Sequence, residues 1–325
     1  MQFTSIGRRR LLKNSLALLG TIGIGAPVLA AFPDKPIKLV VPFPPGGGND
    51  IVARLIGQPL GTAMGQSIVI ENKAGASGTI GTAAVARAPA DGYTLVMAAV
   101  PLVITPSLMP DLSYKVDKDF YPISLICKTP FLLAVHPDVP AKNVQELIAL
   151  ARKNPDTITY SSPGNGTPAH LAAALIGEKG GVRLRHIPYK GGTPAIVDVM
   201  GGHVSFTLAT PAELLSFAKQ GKLRIIGATT ASRISILPDV PTLQEQGLEG
   251  YDISVWYGLL GPAGLPTEVA SKLNTSMQEL LRSQAVIEQL KIQSMEAAGS
   301  SSEAFGAFLK AEREKWHALA TRVAS

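Results

Sequence analysis

Short runs of β-branched and other apolar residues alternate along this chain with segments in which apolar residues recur every three or four positions. The first run, residues 37–43, is followed by a glycine-rich turn and by a helical pattern over 51–60, which Pro59 is expected to end or kink early. The same order returns as a strand over 68–70, a helix over 79–88 and a strand over 93–98. Repeated units of this kind predict an α/β fold with a parallel, doubly wound sheet.

A second series of such units begins near Phe131. It predicts strands over 131–135, 157–161, 184–189, 203–208 and 223–228, and helices over 144–153, 168–179, 194–200 and 212–220. A run over 253–260 predicts a strand that returns to the first group, and helices over 266–282, 284–292 and 302–323 are expected to cover that group. The expected molecule has two lobes, each a mainly parallel sheet flanked by helices: 33–131 plus 253–325, and 132–252. Two hinge crossings without a long linker suit lobes that close around a ligand.

The first thirty residues are typical of an export signal. Arg8 and Arg9 open a basic segment, an uncharged stretch follows, and small residues end it at Ala30. We expect residues 1–30 to be removed after twin-arginine export, with general secretion as the alternative route. A membrane anchor is the competing interpretation, but the stretch is rich in glycine and shorter than the roughly 20 apolar residues of a spanning helix.

Removal of this signal also removes most of the net charge. The full chain has 30 Lys and Arg against 24 Asp and Glu, and residues 1–30 hold four of the basic residues and none of the acidic ones, which leaves 26 against 24. A scattered charge near +2 argues against nucleic-acid binding. The single cysteine, Cys127, excludes an internal disulfide, so two apolar cores must supply the stability. We expect a monomer.

The loop over residues 44–50 is the first candidate ligand site, because it joins a buried strand to the start of a helix. Glycine at positions 46–48 lets a ligand approach the backbone, and the amides of the first helical turn suit an anion such as a carboxylate. The alternative is an ordinary connection in which Asn49 or Asp50 merely caps the helix. Neither nucleotide-loop spacing is present, so no cofactor is expected. Gly75, Gly78 and Gly81 are interpreted as packing positions.

A matching segment follows the strand over 157–161. Ser162, Asn165 and Thr167 offer polar side chains there, and Thr167 with Pro168 predicts a capped helix start. Two helix N-termini could then face one ligand from opposite lobes. Two roles fit His170, which could contact the ligand or could be a packed or capping residue of the helix.

Enzyme motifs are missing from the sequence. It contains no G-x-S-x-G, no H-E-x-x-H and no zinc spacing. Asp50, Asp198 and Glu213 could pair in space, although solvated helix faces explain the last two equally well. Tyr257 lies in the returning strand, where its aromatic side chain could line the cleft or fill the hinge core, and the core is the favoured interpretation.

Six segments in order resemble the Bug-type receptors of tripartite tricarboxylate transporters. They are residues 40–50, 69–75, 88–95, 160–170, 187–191 and 237–242. The resemblance spans nearly the whole mature chain and implies a periplasmic, two-lobed Venus-flytrap protein of type II that binds a small organic carboxylate and catalyses no reaction. It implies delivery of that ligand to membrane permease subunits, with presentation to a sensor domain, or chemistry on a small acid, as the alternatives.

The resemblance also implies which residues meet the ligand. In the first lobe these are Phe43, Gly46, Gly47 and Asn49, with Asp50 shaping the loop; in the second they are Ser162, Asn165, Gly166 and Thr167, with His170 and Tyr189 less firmly placed. Two departures set this chain apart. First, residues 98–101, beginning at Ala98, form an apolar wall where members of the family usually have small polar residues and a histidine. Second, Thr210 is the only polar residue in 208–211. Because unmatched polar groups are costly to bury, we expect a mono- or dicarboxylate with an apolar or aromatic body in preference to an amino acid or citrate.

Overall fold

Two β-sheets, each flanked by helices, make up the protein in the computed structural model, which describes residues 32–109 and 111–324. The predicted export signal lies outside these residues. The first sheet has the strand order β11-β4-β10-β3-β1-β2 and the second has the order β7-β6-β8-β5-β9. The two-lobed α/β architecture predicted from the sequence is therefore confirmed.

The strands are β1 (Ile37–Val41), β2 (Ile68–Asn72), β3 (Thr94–Ala99), β4 (Phe120–Pro130), β5 (Leu132–Val135), β6 (Thr159–Ser162), β7 (Arg185–Pro188), β8 (Phe206–Ala209), β9 (Arg224–Ala228), β10 (Ser254–Pro262) and β11 (Glu296–Ala297). The helices are α1 (Gly48–Met64), α2 (Thr79–Ala86), α3 (Pro101–Leu108), α4 (Val116–Asp119), α5 (Val144–Lys153), α6 (Pro168–Gly180), α7 (Gly192–Met200), α8 (Pro211–Lys219), α9 (Thr267–Arg282), α10 (Gln284–Ile292) and α11 (Ser302–Ala324), and a short 3-10 helix covers Ala76–Gly78. None of the helices within these described residues is long and apolar enough to cross a membrane.

Both sheets are mixed, which corrects the prediction of mainly parallel sheets. In the first sheet β1 pairs in parallel with β2 and β3, whereas β10 runs antiparallel to β3 and β4, and β11 antiparallel to β4. In the second sheet β6 is parallel to β7 and β8, but β5 is antiparallel to β8 and β9. Strands β5 and β10 follow the two crossings, and each runs antiparallel to its neighbours because the chain enters its new sheet at the hinge and runs away from it.

The strand β4 was not predicted. Its eleven residues are mostly buried and include Ile123, Ile126 and Cys127. Its buried stretch includes polar residues such as Ser124 and Thr129, so the sequence shows neither the alternation of a half-exposed strand nor an unbroken apolar run. The prediction for Pro59 was also wrong, because α1 continues past it to Met64. Burial of Leu60 and Met64 against the first sheet offsets the hydrogen bond that proline cannot donate.

The topology brings the carboxyl ends of the parallel strands of both sheets to the hinge. Antiparallel pairing sets Tyr257, near the start of β10, opposite Ala99 at the end of β3, and Ser254 opposite Pro130 at the end of β4. In the second sheet Leu132, at the start of β5, pairs with the last residues of β8 and β9. Only one residue separates β4 from β5, so the loops that follow β1, β3, β6 and β8 all lie along these two adjoining sheet edges, which we call the facing edges.

The two crossings are joined by one threonine side chain. Thr229 follows β9, and its hydroxyl lies 2.9 Å from the Phe131 amide, 3.1 Å from the Phe131 carbonyl and 2.7 Å from the Ile253 carbonyl. Its backbone also bonds to both crossings. Because Thr229 is fully buried, these hydrogen bonds are shielded from water and tie the two crossings to each other.

Candidate ligand-binding site at the facing edges

The amino end of α1 lies at the facing edge of the first sheet with its backbone amides free. Gly47 is the N-cap residue and supplies no side-chain hydrogen bond, and the first intrahelical bond runs from Ile51 back to the Gly47 carbonyl. Within the described part of the chain, the amides of Gly48 and Asn49 donate to no protein acceptor. Free amides and the positive end of a 17-residue helix form an anion-binding position.

A buried aspartate supports the loop from the side away from these amides. Asp50 Oδ2 accepts hydrogen bonds from the Gly46 amide and from Arg54 Nε, each at 2.9 Å, and Asp50 Oδ1 accepts from Asn72 Nδ2 at 2.9 Å. The Arg54 hydrogen bond is the largest of the influences that hold the pKa of Asp50 at about 2. Because Asp50 takes the Gly46 amide, that amide is not available to a ligand.

Asn72, the last residue of β2, is a residue that the sequence analysis did not single out. Besides Asp50, its amide donates to the Phe43 carbonyl at 3.1 Å. It therefore holds both ends of the loop between β1 and α1. The signal available in the sequence was the polar ending of an otherwise apolar strand, which also fits an ordinary strand end.

Asn49 fixes the start of α1 to the neighbouring strand. It is buried, and its side-chain amide donates to the Met97 carbonyl of β3 at 3.1 Å. The side-chain nitrogen is thus occupied by the protein, while the backbone amide of Asn49 remains open.

The predicted apolar wall lines a narrow gap of about 10 Å³ beside this loop, so a ligand body fits there only after the surrounding side chains move apart. The gap is lined by Pro42, Phe43, Ser77, Gly78, Thr82, Val96, Ala98, Ala99, Pro101, Leu102 and Tyr114. The ring of Phe43 packs over Gly78, where a β-carbon would come within 3.0 Å of Phe43 Cζ. Phe43 and Ala98 therefore share one apolar recess next to the amides of α1.

The loop of the second lobe differs, because it uses most of its donors internally. The Gly164 amide donates to Ser162 Oγ at 3.2 Å, and the Gly166 amide donates to His170 Nδ1 at 3.0 Å. The Thr167 hydroxyl donates to the Gly164 carbonyl at 2.8 Å, and the His170 amide donates to the Thr167 hydroxyl. Among the predicted residues of this loop, Asn165 alone is exposed and has a side chain without a hydrogen bond in the described structure.

Two stacked histidines support this loop from behind. The rings of His170 and His186 are 4.0 Å apart, and Tyr160 stacks on His186 at 4.9 Å. Burial lowers the pKa of His170, and burial together with His170 lowers the pKa of His186 to about 4. A neutral His170 accepts the Gly166 amide at Nδ1, so this ring positions the loop.

Ser162 and His186 meet the distance criterion for a nucleophile and its base, since Ser162 Oγ lies 2.7 Å from His186 Nε2. The hydroxyl, however, is fully buried, and it also bonds to the backbone of Gly164. No carboxylate of the described residues hydrogen-bonds to His186. A hydroxyl that no ligand can reach gives this pair a structural role.

The remaining predicted residues of the second lobe lie near the starts of α7 and α8. The Tyr189 hydroxyl donates to Asp198, so the tyrosine is tied to its own lobe. Thr210 caps α8, with its amide and hydroxyl both donating to Glu213 Oε2. A β-carbon at Gly192 would lie 3.0 Å from Glu213 Oε1, so this carboxylate reaches the amino end of α7.

Tyr257 lies between the two lobes' site segments. It is 5% exposed and packs in the core of the first lobe, as predicted. Its hydroxyl touches Gly48, where an added β-carbon would lie 3.0 Å from Tyr257 Cζ and overlap the hydroxyl oxygen. Burial, and next Cys127 and Glu213, raise the pKa of Tyr257 above its ordinary value.

Comparison with known proteins identifies the family of this chain. The sequence profile described as "Tripartite tricarboxylate transporter family receptor" matches residues 52–324. The chain belongs to this receptor family. The Bug-type resemblance seen in the sequence is thereby confirmed, and the protein is a solute-binding receptor of the tripartite tricarboxylate transporter family.

Several relatives resemble the receptor over nearly their whole length. BugT of Bordetella pertussis is 34% identical over 310 residues, which are 94% of this chain and 95% of BugT. The solved structure of Rpa4515 from R. palustris with adipate superposes with a TM-score of 0.81 at 33% identity, covering 89% of this chain and 97% of that chain. The structure of MatC from Rhodopseudomonas palustris with bound malate superposes with a TM-score of 0.77 at 29% identity, covering 89% of this chain and 100% of MatC. The fold of the receptor is that of the periplasmic binding proteins.

Proposed function

We propose that this receptor binds a small organic carboxylate between the lobes 33–131 plus 253–325 and 132–252, and releases it unchanged to membrane permease subunits of a tripartite transporter. The observation that carries the proposal is the uncapped amino end of α1 at the facing edge, with the amides of Gly48 and Asn49 free. Two related receptors have known ligands: Rpa4515 was solved with adipate and MatC with bound malate.

The contacts in this proposal are unequal between the lobes. The carboxylate is held by backbone amides of residues 47–49, and Asn165 reaches it from the second lobe. Asp50, Ser162, Gly166, Thr167 and His170 act by holding the two loops in place, because their polar groups bond within the protein. Closure then follows from a ligand that touches both lobes at once.

The apolar recess beside Phe43 and Ala98 supports a ligand with a hydrocarbon body. An acid whose chain carries hydroxyl or amino groups would place them against the apolar side chains of Val96, Ala99 and Leu102, which offer no hydrogen bond, although Ser77, Thr82 and Tyr114 of the same lining carry hydroxyl groups. We therefore propose an aliphatic or aromatic mono- or dicarboxylate as the ligand.

We also propose that residues 1–30 are a removed export signal and that the receptor catalyses no reaction on its ligand. A periplasmic receptor meets its ligand outside the cytoplasm, and the monomer suffices because both lobes come from one chain. In the described residues no group of three or more His, Cys, Asp or Glu side chains is placed to hold a metal ion. In this proposal the receptor binds the acid and does not change it chemically.

A thermal-shift and calorimetry panel tests the proposal. Adipate, hexanoate, benzoate, malate, citrate and aspartate are compared, with 1,6-hexanediol as the uncharged counterpart of adipate. An acid at 100 times its Kd should raise the free energy of unfolding by about 2.7 kcal/mol, and the diol should have no effect. Equal stabilisation by adipate and the diol would contradict carboxylate recognition, and stabilisation by citrate or aspartate alone would contradict the apolar recess. Mass spectrometry of the recovered acid checks that it is unchanged.

A further inference from the structure

One buried hydroxyl group at the facing edge has no partner in the protein. Tyr257 is 95% buried, yet its hydroxyl makes no hydrogen bond with any of residues 32–109 and 111–324. No fully buried side-chain nitrogen or oxygen among these residues lacks a hydrogen-bond partner. The Tyr257 oxygen must therefore reach the surface of the cleft, although the rest of its side chain is enclosed.

The position of this hydroxyl coincides with the free end of α1. It is in contact with Gly48, whose amide is one of the unpaired donors of the first helical turn. Pairing of Tyr257 with Ala99 places it where β1, β3 and β10 converge at the facing edge. A donor side chain and free amides thus point to one small volume.

Among the charged side chains of the second lobe, Glu213 acts on this hydroxyl, and one of its carboxylate oxygens is already used by its own helix. Glu213 influences Tyr257 electrostatically, but its Oε2 accepts both the amide and the hydroxyl of Thr210. Tyr257 keeps its proton at neutral pH, because burial disfavours the phenolate. The protonated hydroxyl of Tyr257 is therefore a hydrogen-bond donor without an acceptor among the described residues.

We propose that Tyr257 is a ligand-contact residue, whose hydroxyl donates a hydrogen bond to the same carboxylate that the amides of Gly48 and Asn49 hold. This assignment rests on the proposed function. It gives the hinge strand β10 a direct part in recognition, so that the acid bridges a helix end and the strand that connects the lobes. A carboxylate with two oxygens can accept from the amides and the phenol together.

The test compares Tyr257→Phe with wild-type receptor and with the matched control Tyr251→Phe. The Tyr251 hydroxyl is buried and donates to the Ala172 carbonyl at 2.6 Å, so that variant loses a structural hydrogen bond away from the site. Isothermal titration uses adipate, hexanoate, benzoate and malate, and the acid that binds wild type most tightly is the probe. Loss of a hydrogen bond to a charged acceptor should raise its Kd roughly 10- to 100-fold in Tyr257→Phe.

Unfolding of the ligand-free proteins separates recognition from packing. Tyr257→Phe should unfold at the same temperature as wild type or higher, because the hydroxyl has no partner to lose, whereas Tyr251→Phe should unfold at a lower temperature and keep the wild-type Kd. Equal Kd values for wild type and Tyr257→Phe would overturn the assignment of Tyr257 and leave the proposed function intact. Failure of all four acids to bind wild type would instead overturn the proposed function, and this assignment with it.

Discussion

At the scale of single residues, glycine at position 48 is required by contact and not by backbone conformation. Position 48 begins α1 with helical geometry that any residue adopts, so a sequence-based argument from turn conformation does not explain it. The structure does, because Tyr257 occupies the space that a β-carbon would need. Gly47, one position earlier, has open space, with its nearest neighbour the Pro44 carbonyl at 3.8 Å.

We expect Gly48→Ala to lower the free energy of unfolding by about 1–3 kcal/mol, the usual cost of forcing an extra methyl group into a packed site. It should also weaken carboxylate binding, because the start of α1 must move. Gly47→Ala is the control and should unfold like wild type in urea. Combination of Gly48→Ala with Tyr257→Phe should restore part of the lost stability, since the overlapping atom is the hydroxyl oxygen. No recovery in the double variant would contradict the contact.

At the scale of elements, the loop between β1 and α1 depends on one ionised carboxylate. Asp50 gathers the Gly46 amide, Arg54 and Asn72, which together shape the turn that presents the free amides. A pKa of about 2 in the folded protein lies below the ordinary 3.8, so the folded state binds the proton less readily than the unfolded chain. The resulting stabilisation is complete above pH 4 and is lost as the pH falls from 4 to 2.

Asp50→Asn should therefore lower the free energy of unfolding by roughly 2 kcal/mol at pH 7, from the usual 1.36 kcal/mol per pKa unit. Urea unfolding measured from pH 7 to pH 2 should show the difference from wild type shrinking below pH 4. The exposed Asp111→Asn is the matched control and should follow wild type throughout. A difference that stays constant with pH would show that Asp50 acts by shape and not by charge.

At the scale of the whole molecule, the hinge couples the two sheets through Phe131, Thr229 and Ile253. The buried cluster at this place includes residues of both lobes, among them Leu133 and Phe206 of the second and Val103 and Phe305 of the first. This shared packing holds the two lobes together beside the hinge.

Small-angle scattering should show a smaller radius of gyration when the tightest-binding acid of the panel is present at saturation. The physical reason is differential contact: an acid that touches residues 47–49 and Asn165 together stabilises the closed arrangement alone. Asn165→Ala should bind more weakly and need more acid for the same compaction. Identical scattering curves with and without saturating acid would contradict closure.

Local pattern was sufficient for much of this protein. Apolar periodicity predicted α5 over Val144–Lys153 and α10 over Gln284–Ile292 with the observed bounds, since amphipathic helices carry their burial pattern in their own residues. The order of the segments predicted the two lobes and the returning strand β10. The cap formed by Thr167 was likewise visible, because the residues that form it are neighbours in the chain.

The tertiary structure alone decided the contacts between residues that are far apart in the chain. The continuous burial of β4 hid it from period analysis, and the antiparallel pairings next to the hinge depend on where β10 returns. The free amides of α1, the occupied amides of the second loop and the unpaired hydroxyl of Tyr257 are properties of hydrogen-bond partners. Partners are chosen when the chain folds back on itself, so the sequence determined which lobes form and the packing determined which of their polar groups remain free to bind.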